Sequence, residues 1–147
     1  MIAVDTNVLV HVHRRDSPWH APAVAALEEL AGASSPWAVP WPCLHEFVRV
    51  VTASPALRDA TSFERALTQV DSWLSIPNLV ALSETASHWV TLRKLAAGAQ
   101  ALGTLFYDAR IAAICLDHDV DELWTADRDF GRFPALKTRN PLVAKRK

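Results

Sequence analysis

The chain has 147 residues, a length that fits one domain with a buried core. Half of its residues are hydrophobic and 21% are charged, which excludes a disordered chain, and no apolar run reaches the roughly 20 residues that cross a bilayer. The 15 basic and 16 acidic residues give a net charge of −1, which argues against a protein that holds nucleic acid mainly by bulk positive charge.

The first half of the chain predicts strands and helices in alternation. Residues 1–4 are a short apolar run that predicts a buried strand, and this run ends in a polar turn that begins at Asp5. Ser17 and Pro18 are typical of a helix cap and a first-turn proline, so they predict a helix that closes at Gly32. The pattern then predicts a strand at 37–39, a helix from Pro42 to about Thr52, a helix from Thr61 or Ser62 to Leu74, and a strand at 79–82.

The second half continues the alternation. Residues 83–97 predict a helix with Trp89, Leu92 and Leu95 facing inward and Gly98 as its stop. A helix over about 106–117 follows, and strands are expected at 122–125 and 136–138. Strands that alternate with helices of about a dozen residues imply right-handed crossovers and a parallel sheet. We therefore predict an α/β fold, a three-layer α/β/α sandwich whose central, mostly parallel sheet has four to five strands.

Organisation and cysteine content point to one unit inside a cell. The sequence contains no internal repeat and no linker rich in Gly and Ser, so we expect a single domain over residues 1–144 and a short basic tail at 145–147. The N-terminus has no basic segment ahead of its apolar run and does not resemble a signal peptide. Cys43 and Cys115 cannot form a disulfide scaffold and fit a reducing compartment, so we expect a cytoplasmic protein without membrane association.

Four carboxylates are expected to meet where strands end. Asp5 follows the first strand and Asp127 the fourth, and in parallel α/β sheets functional groups lie outside the carboxyl ends of the strands. Glu46 lies early on its helix between inward-facing positions, and Asp108 lies at the start of another helix. Several carboxylates in one cleft repel one another unless a cation compensates their charge. Oxygen ligands without thiolate or imidazole at fitting spacing select Mg²⁺ or Mn²⁺.

Each acid also has a structural explanation when it is taken alone. Asp5 can cap the turn after its strand, and Asp108 can cap its helix. Glu46 can form an exposed ion pair with Arg49, three positions later on its helix. Asp127 and Asp129 can be ordinary loop residues. The interpretation as a metal site therefore depends on these acids converging in the folded chain.

Four short motifs resemble those of PIN-domain nucleases. They are IAVDTN at 2–7, HEF at 45–47, YDARIAA at 107–113 and TADRDF at 125–130. Their order and spacing, together with the chain length, are similar to the VapC toxin branch, a single PIN domain with nothing appended. The resemblance covers nearly the whole chain, from Met1 to Leu142, so we expect a PIN-like form of the sandwich.

The resemblance implies a metal-dependent endoribonuclease. Asp5, Glu46, Asp108 and Asp127 would be its catalytic acids and metal ligands, with Asp5 and Asp108 as the main ligands. The ion would be Mg²⁺, with Mn²⁺ as a substitute. The residues that would orient these carboxylates by hydrogen bonding are Thr6, Asn7, Thr125 and Asp129.

The resemblance also implies partners. It indicates an RNA substrate, a cognate VapB-type antitoxin that restrains the enzyme, and a homodimer that assembles into a larger toxin–antitoxin complex. Arginine supplies 11 of the 15 basic residues, which suits bidentate contacts with phosphate. The candidates for gripping RNA are Arg14, Arg15, Arg110 and Arg128, and surface salt bridging is the alternative for each of them.

Other functions remain open at this point. The chain could be a catalytically inactive PIN-fold module that binds a partner, or a PIN nuclease that acts on another nucleic acid. A dinucleotide binder is disfavoured because the turn after the first strand contains no glycine. A zinc site is disfavoured because His11 and His13, two residues apart, do not share a helix face.

Overall fold

The computed structural model describes residues 1–53 and 60–144, so the predicted tail at 145–147 lies outside the described residues. A short 3₁₀ helix, Arg128–Arg132, follows the fourth strand. The strands are β1 Ile2–Val4, β2 Trp37–Pro40, β3 Leu79–Leu82, β4 Glu122–Trp124 and β5 Thr138–Arg139. The helices are α1 Thr6–His13, α2 His20–Gly32, α3 Trp41–Thr52, α4 Phe63–Leu74, α5 His88–Ala99 and α6 Leu105–Asp117.

The five strands form one parallel sheet in the order β3-β2-β1-β4-β5. The central strand β1 pairs with β2 through Ala3 and Ala38 and with β4 through Ala3 and Leu123. These three residues are fully buried, as expected for parallel strands covered on both faces. The α/β fold class and the parallel sheet predicted from the sequence are confirmed. None of the helices within the described ranges is long and apolar enough to span a membrane.

Helix α1 replaces the polar turn predicted after the first strand. The Asp5 carboxylate accepts a hydrogen bond from the Thr6 backbone N–H, so Asp5 is the N-cap and the helix begins at once. Val8 and Leu9 of this helix are fully buried in the core. Helix α2 also differs from its prediction, because it begins at His20 rather than at the Ser17–Pro18 pair.

The inward orientation predicted for Trp89 is wrong. Helix α5 begins at His88 rather than at residue 83, so Trp89 lies in the first turn, where its side chain is 62% exposed. The apolar contacts of α5 come from residues at i, i+3 and i+7, which are Leu92, Leu95 and Ala99. The inward positions expected on α6, such as Ile111 and Cys115, are buried as predicted.

Candidate metal centre

The site lies where the order of the strands reverses. The chain runs outward from β1 to β2 and β3, then returns to place β4 on the other side of β1. Ligand sites of open α/β sheets lie at such switch points, outside the carboxyl ends of the strands. Asp5 directly follows β1 and Thr125 directly follows β4, and the Asp5 backbone N–H donates to the Trp124 carbonyl at 3.0 Å. The switch point therefore brings the first and fourth motifs side by side.

A hydrogen-bond network fixes the buried carboxylate of Asp5, which is only 4% exposed. Its Oδ2 accepts from Asn7 Nδ2 at 2.6 Å and from the Thr125 hydroxyl at 2.7 Å. Asn7 also connects the two loops, because its Oδ1 accepts from the Ala126 backbone N–H at 2.9 Å. The Thr125 hydroxyl oxygen accepts from the Asp127 backbone N–H at 3.0 Å. The network thus holds the end of β1 and the loop after β4 in one arrangement.

Three further carboxylates converge beside Asp5. One carboxylate oxygen from each of Asp108, Asp127 and Asp129 lies within 4.8 Å of the other two. Asp108 comes from the first turn of α6, whereas the other two come from the loop after β4. The Asp127 carboxylate accepts from the Asp129 backbone N–H at 2.9 Å, which starts the 3₁₀ helix. We call Asp108, Asp127 and Asp129 the acidic cluster.

Glu46 lies on α3, the helix that follows β2. Its Oε2 accepts from the Thr6 hydroxyl at 2.9 Å, and its Oε1 accepts from Arg49 Nη2 at 3.0 Å. The pairing with Arg49, expected if Glu46 were an ordinary helix residue, is therefore present. Glu46 nevertheless lines the same two cavities as Asp108 and Asp127.

The electrostatics of the site favour a cation. The pKa of Asp108 is raised to about 7, mainly by burial and further by the negative charges of Asp127, Asp5, Asp129 and Glu46. Burial also raises the pKa of Asp5, although its hydrogen bonds with Thr125 and Thr6 act in the opposite direction. The part of the rise at Asp108 that comes from its neighbours reflects repulsion between the carboxylates. A positive charge among them would relieve this repulsion.

Two adjoining cavities give access to these acids. The larger, of about 710 Å³, is bounded by α3, α6 and the loop after β4, and we call it the cleft. The smaller, of about 270 Å³, reaches Asp5 and the side chains of α1. Both are lined by Glu46, Asp108 and Asp127. The buried end of β1 therefore borders the smaller cavity, which adjoins the cleft at these three acids.

The donor set fits a hard divalent cation. All three side chains of the acidic cluster offer carboxylate oxygens, the ligand type that Mg²⁺ and Mn²⁺ prefer. Both cysteines are buried and free, and neither lines the two cavities. The residues present thus match the Mg²⁺ chemistry expected from the sequence rather than that of a thiolate-bound zinc ion.

Comparison with known families identifies the fold and its motifs. The family model described as PIN domain matches residues 2–136. The chain belongs to the PIN domain family. The match spans β1 and its Asp5, α3 with Glu46, α6 with Asp108 and the loop with Asp127.

Curated relatives of this PIN domain carry the VapC name. Ribonuclease VapC43 of Mycobacterium tuberculosis is 39% identical over 142 residues, which cover 97% of this chain and 96% of that protein. Ribonuclease VapC48 of the same species is 31% identical over 138 residues, covering 93% of this chain and 94% of that protein. The VapC branch indicated by the sequence motifs is therefore confirmed.

Solved structures share the fold of this PIN domain. VapBC2 from Rickettsia felis, bound to a DNA fragment from its promoter, matches with a TM-score of 0.72 at 22% identity and covers 95% of this chain and 98% of that one. VapC20 of Mycobacterium tuberculosis, a sarcin-ricin loop cleaving toxin, matches with a TM-score of 0.69 at 17% identity and covers 89% of this chain and 93% of that one. At these identities the likeness is one of fold.

The four arginines named from the sequence have different surroundings in this PIN domain. Arg110 lines the cleft, but its guanidinium donates two hydrogen bonds to a single carboxylate oxygen of Glu84. Arg15 and Arg128 are exposed and Arg14 is partly buried. Of these four, only Arg110 lines the cleft itself.

Sequence reasoning missed several side chains that line the cleft. Arg49 was considered only as an ion-pair partner, yet it lines the cleft beside Glu46. His45 and Tyr107 line it as well. The sequence assigns Asp129 to orienting other carboxylates and leaves open whether it contacts the metal, and in the structure its own oxygen belongs to the acidic cluster. For Arg49 the available signal is helical spacing, because a residue three positions after a cleft-facing glutamate shares its face.

Proposed function

We propose that this PIN domain is a divalent-metal-dependent endoribonuclease and the toxin of a VapB–VapC pair. The observation that carries the proposal is the acidic cluster, together with the small cavity at the switch point that Asp108 and Asp127 share with the buried Asp5. The relatives named ribonuclease VapC support the reaction class. Mg²⁺ is the ion that this all-oxygen set fits best, and Mn²⁺ would replace it.

The residues of the chain divide the work of hydrolysis between them. Asp5 and Asp108 would be the main ligands of the metal, and Glu46 and Asp127 would complete its coordination directly or through water. When bound, a divalent cation lowers the pKa of water and stabilises negative charge on a phosphate. Thr125 and Asn7 hold the Asp5 carboxylate in one orientation, so little reorganisation is needed when RNA arrives.

The acids also explain why cleavage depends on a metal. A phosphodiester is anionic, and the cleft carries four carboxylates, those of Glu46, Asp108, Asp127 and Asp129. The smaller cavity beside it adds the carboxylate of Asp5. These charges repel RNA unless a cation lies between them and the scissile phosphate. Attack by water would leave a 5′-phosphate and a 3′-hydroxyl.

We also propose that an antitoxin restrains the enzyme. The solved VapBC complexes from Rickettsia felis and Salmonella typhimurium, both bound to DNA, contain a fold like this one. A ribonuclease that is active in its own cell requires such control. A homodimer that joins a larger complex with the antitoxin is the assembly we expect.

Cleavage of purified RNA tests the proposed function. The protein is incubated with total cellular RNA in EDTA, in Mg²⁺ and in Mn²⁺, and the ends of the products are mapped. We expect cleavage with either metal, and its products should carry 5′-phosphate ends. We expect no cleavage in EDTA. Cleavage that persists in EDTA, or products with 2′,3′-cyclic phosphate ends, would contradict the mechanism. A protein that binds a partner tightly but cuts no RNA would instead be an inactive binding module.

Removing the Thr125 hydroxyl tests the positioning of Asp5. Thr125→Val preserves the shape of the side chain but removes a donor to Asp5 and an acceptor for the Asp127 N–H. We expect kcat to fall by about 10- to 100-fold, as when a partner that orients a metal ligand is lost. We also expect the free energy of unfolding to fall by about 1–3 kcal/mol, because buried polar groups lose their partner. Thr68→Val, at an exposed position on α4, is the matched control.

A further inference from the structure

Two aromatic side chains line the cleft and have no part in the mechanism above. They belong to His45 on α3 and Tyr107 on α6, and both residues are exposed. Tyr107 is 67% exposed although it is a large ring in a chain with a well-packed core. Each ring directly precedes a candidate metal ligand in the sequence, Glu46 in one case and Asp108 in the other.

Helical spacing explains why the rings share the cleft with the acids. On α3 the lining residues are Pro42, His45, Glu46 and Arg49, which stand at i, i+3, i+4 and i+7. On α6 and its N-cap they include Thr104, Tyr107, Asp108 and Ile111, which have the same spacing. Residues at these positions lie on one face of a helix. Both helices therefore present an aromatic ring next to an acid on the face that borders the cleft.

The surroundings of the two rings suit flat ligands. His45 lies against Trp41, with 5.9 Å between ring centroids and 34° between their planes, so the imidazole is supported from one side. Arg49 supplies a guanidinium to the same cavity, and such planes also stack on bases. The cleft, of about 710 Å³, is large enough to hold an organic ligand as well as a metal ion.

We propose that His45 and Tyr107 form a base-stacking site for unpaired nucleotides of the RNA on either side of the phosphate at the acidic cluster. This inference rests on the proposed function and identifies two residues that would hold bases of the RNA beside the scissile phosphate. Bases in a duplex are stacked on one another, so their faces are not available to protein side chains. An aromatic ring beside the acids can contact only a base that has left the stack.

A nucleotide fits these rings better than a protein partner does. Exposed apolar side chains elsewhere, such as Trp89 and Val90 on α5, do not line the cleft. The two rings of the cleft are instead interleaved with carboxylates that bind metal and with a guanidinium that can bind phosphate. This combination of groups matches a base, a phosphate and a cation.

The test compares RNA with a chain that lacks bases. A fluorescently labelled, unstructured RNA and an abasic ribose-phosphate chain of equal length are titrated with protein in Mg²⁺, and binding is followed by anisotropy. An Asp108→Asn background keeps the RNA intact. Into this background we introduce Tyr107→Ala, His45→Ala, Tyr107→Phe and, as an aromatic control outside the cleft, Trp89→Ala.

We expect Tyr107→Ala and His45→Ala each to weaken RNA binding by roughly 5- to 150-fold, the range for loss of one base-stacking side chain. Binding of the abasic chain should not change, and Tyr107→Phe should restore most of the affinity for RNA. Trp89→Ala should have no effect on either ligand.

The proposal would be overturned if Tyr107→Ala and His45→Ala lost equal affinity for RNA and for the abasic chain. It would also be overturned if neither variant lost affinity for either ligand, or if the Asp108→Asn protein with both rings intact bound a duplex of the same sequence as tightly as the single strand. Loss of antitoxin binding without any change in RNA binding would assign the rings to a protein interface. If the wild-type protein cuts no RNA, the nuclease function fails while the binding comparison still decides the stacking site.

Discussion

Replacing Asp108 with asparagine is expected to reduce RNA cleavage by at least about 100-fold and to make the metal-free protein more stable at alkaline pH. Loss of a residue that only orients a ligand costs about 10- to 100-fold, so loss of the ligand itself should reach the upper end of that range. Stability should rise because the neutral side chain removes the charge that burial and four neighbouring acids disfavour. Asp108 is only partly buried, so solvent screening limits this gain to about 1 kcal/mol.

The paired measurements are the rate of cleavage in saturating Mg²⁺ and the free energy of unfolding in EDTA. Asp71→Asn, which removes an exposed carboxylate on α4, is the matched control and should change neither quantity. Opposite changes in activity and stability are typical of residues that are kept for function at the expense of the fold. If Asp108→Asn retained full activity, Asp108 would not be a ligand of the catalytic metal.

The second large effect is on thermal stability as a function of pH. In the unfolded chain the Asp108 carboxyl has a pKa near 3.8, whereas in the folded chain its pKa is about 7. The folded state therefore binds the proton more tightly, and this stabilisation is present at low pH and is lost as the pH rises from about 4 to 7. Asp5, whose pKa is also raised, acts in the same direction. We expect the Tm of the metal-free protein to fall between about pH 4 and pH 7.

Divalent cations should reverse this loss. At about 100 times its Kd, a ligand of the native state adds about 2.7 kcal/mol, which corresponds to roughly 5–10 °C in Tm for a domain of this size. We expect Mg²⁺ or Mn²⁺ to raise the Tm by this amount at about pH 8 and by much less at about pH 5, where protons compete for the carboxylates. Scanning calorimetry with and without metal gives both values. In Asp108→Asn the slope with pH and the response to metal should both be reduced.

The strands and the acids at their ends could be predicted from sequence because short buried runs and parallel crossovers leave few arrangements. Three apolar residues before Asp5 suffice to indicate β1, and the alternation of strands with helices then predicts a parallel sheet. Helix α1 could not be predicted in the same way. Val8, Val10 and Val12 alternate with other residues and are β-branched, a pattern that does not favour a helix. Its formation depends on the cap from Asp5 and on burial of Val8 against the core.

The hydrogen-bond partners of side chains at the site could not be predicted from the sequence, because these hydrogen bonds join segments that are distant along the chain. Arg110 is paired with Glu84, which precedes it by 26 residues, and this pairing depends on how α5 and α6 pack. The contribution of Asp129 to the acidic cluster depends on the 3₁₀ helix that begins after Asp127. Sequence patterns indicate which residues approach a cleft, whereas the geometry of short turns decides which oxygens meet.

Asp5 after β1, Asp108 on α6 and the acids after β4 are proposed to bind one divalent cation together. Crystals grown with Mn²⁺ and measured at its absorption edge show whether they do. We expect an anomalous peak about 2.1 Å from carboxylate oxygens of Asp5 and Asp108, with Asp127 or Asp129 next to it. A peak elsewhere in the molecule, or none at saturating Mn²⁺, would contradict this proposal.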